Sequence, residues 1–303
     1  MIPIYFEVAP DEEGLRLDIF LAERLEGVSR NAVKNAIKNG YVRVGGSVCQ
    51  RPSRRISSGE VVEWHAPVKP LLVPSAIPVP VIYEDDQIVV VNKPAGMVVH
   101  PGAGTDGRTL VEGLLATRSL PVDDDPSRPG VVHRLDKETT GIIVVAKTAE
   151  ALASLKKQFA SRVVTKFYLA LVEGEIEEEE GLIDAPVGRD PANPRMMAVI
   201  PRGRPAKTAF RVLQRLPRRT LILLQPKTGR THQLRVHMHY IGHPIIGDPL
   251  YGPNGEHMLL HAWRIAFSHP ESGQEVRFEA PVPSWFPVYP YEELPWPEIA
   301  ARR

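Results

Sequence analysis

Apolar residues recur at helical spacing at Leu17, Phe20, Leu21 and Leu25, and again at Ala32, Val33, Ala36 and Ile37, which predicts two short amphipathic helices near the start of the chain. Ser29 stands where an N-cap of the second helix belongs, and Gly40 where it would end. Tyr41, Val42, Arg43 and Val44 then read as a strand, Gly45-Gly46 as a tight turn, and Val61, Val62 and Trp64 as a strand entered through Ser58-Gly59. A small two-helix, short-strand module over residues 1–66 follows from this pattern. Pro67, Pro70, Pro74, Pro78 and Pro80 fall within fourteen positions, too dense for a helix or a central strand, so residues 67–80 read as a semi-rigid linker.

Beyond the prolines the pattern changes. Short apolar runs at Ile88 to Val91, Val131-Val132, Ile142 to Ala146, Ala170 to Val172 and Leu221 to Leu224 are β-rich and bounded by Gly, Pro or charge. Helical stretches are fewer, around Leu110 to Ala116, Glu150 to Phe159 and Thr231 to Ile241. Residues 81–303 therefore read as an α+β domain, without regular strand–helix alternation.

Composition narrows the class. With 43% hydrophobic and 24% charged residues, the 303-residue chain is neither disordered nor a disulfide scaffold, and its one cysteine, Cys49, cannot form an internal bridge. No run approaches 18 apolar residues, so a membrane-spanning helix is excluded. The start lacks a basic segment followed by an apolar one, so a cytoplasmic location is expected. No segment reads as an interface stripe, and a monomer is expected.

Net charge is near zero, with 37 Lys and Arg against 36 Asp and Glu, but the average hides an asymmetry. Between Pro191 and Gly247 stand eleven Lys or Arg and no Asp or Glu. Such a tract fits either a phosphate-facing surface or a solvated face with scattered ion pairs. The segment Gly14 to Trp64 holds nine basic and five acidic residues, with Arg30, Lys34 and Lys38 on one helical face, consistent with attraction to phosphate.

Two patterns that could mark cofactor chemistry fail on context. Gly102 to Gly107 fits G-x-G-x-x-G, but Asn92-Lys93-Pro94 and His100-Pro101 separate it from the preceding strand, so it reads as a loop. His232, His237, His239 and His243 lack a nearby carboxylate before Asp248 and lie among cations, so no metal site is expected. Neither a cofactor nor a metal is called for.

The segment Gly130-Val131-Val132-His133-Arg134-Leu135-Asp136-Lys137-Glu138-Thr139-Thr140-Gly141 sets a carboxylate between two apolar runs. Taken alone, Asp136 and Thr139 could form an Asx-type turn or cap. In order, His-Arg-Leu-Asp-x-x-Thr-Thr-Gly resembles the signature of pseudouridine synthases of the RluA/RluD type. Further matches follow in that family's order: Asn92-Lys93-Pro94, Lys166-Phe167-Tyr168, Lys227 to His237, and Gly242 to Asp248. The pattern from Gly14 to Gly46 resembles the S4 RNA-binding domain.

These resemblances imply an α+β pseudouridine synthase domain with a mixed, largely antiparallel sheet, preceded by a small S4-like α/β domain. They imply isomerisation of uridine in structured RNA, most readily large-subunit (23S) ribosomal RNA, by base flipping and an Asp-dependent cleavage and re-formation of the glycosidic bond. The reaction adds no external atom and needs no cofactor. Asp136 matches the family's catalytic aspartate, Tyr168 its active-site tyrosine, and Arg230 the basic residue expected to pair with Asp136. Arg134 is a candidate for the side chain that fills the space left by a flipped base, and His133, His232, Gln233 and Arg235 are candidate RNA contacts beside Arg30, Lys34 and Lys38. Related enzymes act on transfer RNA, and a non-catalytic ribosome-assembly factor that only binds RNA is a further alternative.

Overall fold

A computed structural model describes residues 3–65, 72–102, 108–123, 125–193 and 196–296. Pro67 and Pro70, Asp124, Arg195 and the larger part of the Gly102–Gly107 loop lie outside the described residues. The chain divides into two compact units, Met1–Pro70 and Leu71–Arg303. No helix among the described residues is long and apolar enough to cross a membrane.

The first unit runs β1 (Ile4–Glu7), α1 (Leu17–Arg24), α2 (Arg30–Lys38), β2 (Val42–Val44), β3 (Ser47–Val48) and β4 (Val61–Trp64). Its sheet has the order β1-β4-β2-β3. The periodic residues Leu17, Phe20, Leu21, Val33, Ala36 and Ile37 bury together with Val42, Val44, Val62 and Trp64, so the pattern read from sequence is the core itself. The Ser29 hydroxyl accepts from the Ala32 N–H, capping α2. Strand β1 lies outside the sequence expectation; it is only four residues long and pairs through β4.

In the second unit follow β5 (Val81–Glu84), β6 (Ile88–Lys93), α3 (Leu110–Leu115), β7 (Thr140–Ala146), α4 (Ala149–Ser161), β8 (Thr165–Glu173), β9 (Glu180–Asp184), β10 (Val187–Arg189), β11 (Met197–Val199), β12 (Lys207–Leu216), β13 (Arg219–Pro226), α5 (Gln233–Tyr240), β14 (Leu260–Ser268) and β15 (Glu275–Glu279). The main sheet has the order β5-β6-β7-β14-β8-β13-β12-β9, with β15 added on β14. Every neighbour is antiparallel except β7 with β14. Central strands such as β7 read as continuous apolar runs because both faces are covered: Leu110 and Leu114 of α3 and Ala151, Leu152 and Leu155 of α4 pack into the same core as Ile88 to Val91.

Three sequence expectations change. The second half of the segment expected as a semi-rigid linker over 67–80 is built into the second unit: Ile77 and Val79 pack on the β6–β7 core, the Ser75 N–H donates to the Glu112 carbonyl, and the Asn92 N–H to that of Pro80. Val131-Val132 is not a strand: an isolated bridge joins Val131 to Val145, flanked by the Ala146 N–H donating to the Gly130 carbonyl and the Val144 N–H to His133 Nε2. The run Ala170 to Val172 belongs to the nine-residue β8, whose start is masked in sequence by Lys166 and Tyr168, which face the cleft between β8 and the turn before β7.

Parallel pairing brings β7 and β14 into close approach at Gly141, which has φ 110°. A Cβ there would come within 2.2 Å of the Ala262 carbonyl oxygen. Gly141→Ala is therefore expected to destabilise the second unit by about 3 kcal/mol, through overpacking and a strained φ together. Equilibrium urea unfolding checks this, and an unchanged midpoint would mean that β7 and β14 can move apart there at no cost.

Candidate active site

A cleft of about 710 Å³ opens between the segment preceding β7, the α4–β8 corner, the end of β13 and the start of α5. Seven Lys or Arg line it (Arg134, Arg162, Lys166, Arg204, Lys227, Arg230 and Arg235), with a single carboxylate among the lining residues, Asp136. That imbalance suits a polyanionic ligand, with Asp136 the one carboxylate among the lining residues.

Asp136 sits on the turn before β7, its carbonyl accepting from the Thr139 N–H at 3.2 Å. Behind this turn the Lys93 ammonium is buried and donates to the carbonyls of Pro94, Met97 and Lys137 at 2.8, 2.9 and 2.9 Å. The last of these ties β6 to the residue following Asp136. Burial pushes Lys93 down to about 7, against the opposing pull of Glu138 and Asp136.

The Asp136 carboxylate accepts a hydrogen bond from Arg235 Nη1 at 3.1 Å. Arg235 is held from behind by Asp248, which accepts from Nε and Nη2 at 2.7 Å each, and Asp248 is fully buried. A guanidinium gripped at two points by a buried carboxylate has its position fixed before it reaches Asp136. Asp248 in turn accepts from the Leu250 and Tyr251 N–H groups. Asp136, Arg235 and Asp248 thus form a relay of alternating charge from cleft to interior.

His232 flanks the carboxylate, its Nε2 3.9 Å from Asp136 Oδ1. The Tyr251 hydroxyl accepts from the Met197 N–H at 2.8 Å and lies 2.8 Å from His232 Nδ1. A neutral ring protonated on Nε2 would turn its N–H toward the Asp136 carboxylate and accept from the Tyr251 hydroxyl at Nδ1. Burial lowers the His232 pKa although Asp136 pulls the other way, so the ring is neutral near pH 7.

Tyr168 projects from β8 into the cleft. Its burial, and then the nearby charge of Asp136, push the phenol well above its ordinary value, so it stays protonated. It makes no hydrogen bond within the described residues, which leaves ring and hydroxyl open to a ligand. Two residues earlier on the same strand face, the Lys166 ammonium lies 5.6 Å from the centre of the Phe159 ring, its pKa lowered by burial.

Several expected roles change. Arg230 does not pair with Asp136: its Nε donates to the Pro205 carbonyl at 3.1 Å, and Arg235 takes the carboxylate instead. Arg235, expected at the RNA surface, is buried between two carboxylates. Gln233 is also buried and spends its amide internally, accepting from the Thr228 hydroxyl and the Arg230 N–H and donating to Lys207 and Thr208, so it holds the turn and has nothing left for RNA. The His133 ring stacks on Phe159 and accepts from the Val144 N–H at 3.0 Å; burial, then Lys166, push it down to about 3, so it is no cation for phosphate. Arg134 is exposed at the cleft wall.

In the first unit, Arg30 and Lys34 lean on the buried Asp18, at 2.9 and 3.7 Å, while Lys38 is exposed and makes no ion pair among the described residues. Burial of Asp18 opposes its ionisation, but hydrogen bonds from Arg16 and Arg30 outweigh that and hold its pKa below the usual value.

Comparison with known proteins agrees with this geometry. The family described as RNA pseudouridylate synthase matches residues 87–240, spanning the Asp136 turn, Tyr168 and Arg235. The chain belongs to the RNA pseudouridylate synthase family. It is an isomerase acting on RNA, and the S4 domain family matches residues 15–62. An uncharacterized RNA pseudouridine synthase of Bacillus subtilis is 42% identical over 93% of this chain and 95% of its own length. The ribosomal large subunit pseudouridine synthase D of Nitrosomonas europaea is 41% identical over 89% of this chain and 82% of its own. Among solved structures, human RNA Pseudouridylate Synthase Domain Containing 1 superposes with a TM-score of 0.57 at 30% identity, over 69% of this chain and 85% of that one.

The sequence alone does not disclose the roles of Asp248, Tyr251 and Lys93. Asp248 and Lys93 stand in segments that match the family, beside a glycine and a proline, but nothing in their order says that they are buried. A lone buried Asp or Lys declares itself only through its partners.

Proposed function

We propose that this chain converts uridine to pseudouridine in large-subunit ribosomal RNA, with Asp136 acting at the sugar carbon C1′. The observation that carries the assignment is Asp136 itself: a single cleft-lining carboxylate, aimed by an Arg235 that Asp248 holds in place. In the isomerisation the C1′–N1 bond breaks, the uracil turns, a C1′–C5 bond forms, C5 loses its proton and N1 gains one, so no atom is imported. A carboxylate suits the first step either as nucleophile or as partner to a developing sugar cation.

The target base must leave its stack to reach Asp136, at a cost of a few kcal/mol. Arg134, exposed two residues before Asp136, is placed to fill the vacated space, and the protonated Tyr168 offers a ring for stacking and a hydroxyl for hydrogen bonding to the flipped base. Lys38 and the remaining basic residues of the S4 unit serve to dock the RNA. The substrate class follows that of the ribosomal large subunit synthases to which this chain is about 40% identical.

Carbodiimide mapping of pseudouridine in ribosomal and transfer RNA, from cells lacking this protein with and without a restored copy, tests the proposal. Sites lost and regained in large-subunit ribosomal RNA are expected. Loss confined to transfer RNA would overturn the substrate, and no change in either RNA would overturn the reading as a whole.

A further inference from the structure

We propose that Arg162, Arg204 and Arg230 form a clamp for phosphate groups of the RNA strand that delivers its uridine to Asp136, a role that rests on the RNA substrate proposed above. The three side chains come from separate segments: Arg162 from the C-cap of α4, Arg204 from the loop between β11 and β12, and Arg230 from the loop between β13 and α5. All three line the cleft.

None of them is neutralised by the protein. No carboxylate lies within ion-pair distance of Arg162, Arg204 or Arg230 among the described residues, and Asp136 is engaged by Arg235. The basic residues of β12 differ. Lys207, Arg211 and Arg215 pair with Asp184, Glu180 and Glu179 at 2.7, 3.4 and 2.7 Å, and none of the three lines the cleft. The basic residues along β12 are paired with carboxylates, whereas Arg162, Arg204 and Arg230 at the cleft have no such partner among the described residues.

These guanidinium groups also feel one another. The Arg230 pKa is lowered by burial and then by the charges of Arg204 and Arg162, the repulsion expected of like charges turned toward one space. Arg230 commits only Nε, to the Pro205 carbonyl, so most of its five donors remain free. An entering phosphate meets planar forks that match its oxygens and at the same time relieves the repulsion. Arg162 adds a backbone sign: it holds φ 62° at a helix C-cap, where glycine is the unstrained choice. Its neighbour in conformation is His232 at φ 55°, also in the cleft wall.

The test compares full-length wild type with Arg162→Gly, Arg204→Ala and their double variant, and with an Arg118→Ala/Arg277→Ala control that removes the same charge from residues outside the cleft. Affinity for an unmodified large-subunit ribosomal RNA transcript, and for a transfer RNA transcript as second probe, is followed against salt, together with thermal midpoints. The double variant is expected to bind roughly tenfold more weakly near 0.1 M salt, with a log–log salt slope shallower by about one for each phosphate left without its arginine. The control should keep the wild-type slope. Because each substitution removes repulsion, and Arg162→Gly also removes strain, midpoints should stay level or rise. Unchanged affinity and slope in the double variant would overturn the clamp, and so would a fall in midpoint in step with binding, which would make the residues structural. Pseudouridine formation by wild type on the same transcripts is scored separately. Turnover by wild type with an unaffected double variant sinks the clamp alone; a weakened double variant without wild-type turnover keeps the phosphate site and sinks the proposed function.

Discussion

Asp136→Asn is expected to lower pseudouridine formation by a factor on the order of 10⁴, the scale of losing a group that acts directly on the reacting atoms. The substitution preserves volume and leaves an oxygen for the Arg235 N–H, while Arg235 remains gripped by Asp248. Stability should therefore change by no more than about 1 kcal/mol. RNA affinity should stay within a few-fold of wild type and shift toward tighter binding, because the variant removes the one negative charge from a cleft lined by seven cations. Single-turnover assays on a bound transcript, alongside a binding isotherm, separate the two quantities. Substantial turnover by the variant would remove Asp136 from the chemistry; normal turnover per bound complex with poor binding would make it a docking residue instead.

The second large effect concerns Arg235. Arg235→Ala leaves Asp248 buried without its cation, and breaking a buried pair from one side costs about 3–5 kcal/mol. It also frees Asp136 from the donor that orients it, so activity should be lost as well as stability. Arg235→Lys keeps the charge but cannot grip Asp248 through two parallel N–H bonds while reaching Asp136 with a third nitrogen, and should fall between alanine and wild type. To separate the two effects, Arg235→Met with Asp248→Asn removes both charges together while the Asn oxygen keeps accepting from the Leu250 and Tyr251 N–H groups. That pair should recover most of the lost stability, since no buried charge is left unpaired, yet stay inactive because Asp136 still lacks its partner. Urea unfolding and turnover are the measurements. An alanine variant that unfolds at the wild-type midpoint would show that the relay carries no structural load.

Arg230 and Arg235 illustrate how far a motif can reach. Both stand in the segment Lys227 to His237, and the family pattern points to Arg230 as the partner of Asp136. Arg230 precedes α5 and turns to the Pro205 carbonyl, whereas Arg235 lies on the helix, on the side facing Asp136. Sequence spacing places two arginines near one carboxylate; the helix start at Gln233 decides which of them reaches it. Gln233 itself reads as a surface polar residue and is the internal brace of that start, with both amide atoms committed. In the S4 unit the pattern is legible almost residue for residue, because a small core is built directly from its periodic apolar positions.

What the sequence determined by itself is whatever depends on local order: the helical periodicity of the first unit, the apolar runs of the central strands, the Asp136 turn ahead of one of them, and the basic tract without acids. Those follow from burial and backbone preferences acting over a few residues. What only the tertiary structure decided is which charges meet. Asp248 lies 112 positions beyond Asp136 in the chain, and Arg235 joins them because β7 and α5 border the same cleft. The same packing pairs Lys207, Arg211 and Arg215 with carboxylates and leaves Arg162, Arg204 and Arg230 without such a partner among the described residues. Electrostatic partnership depends on distance and burial in space, and a linear pattern carries neither.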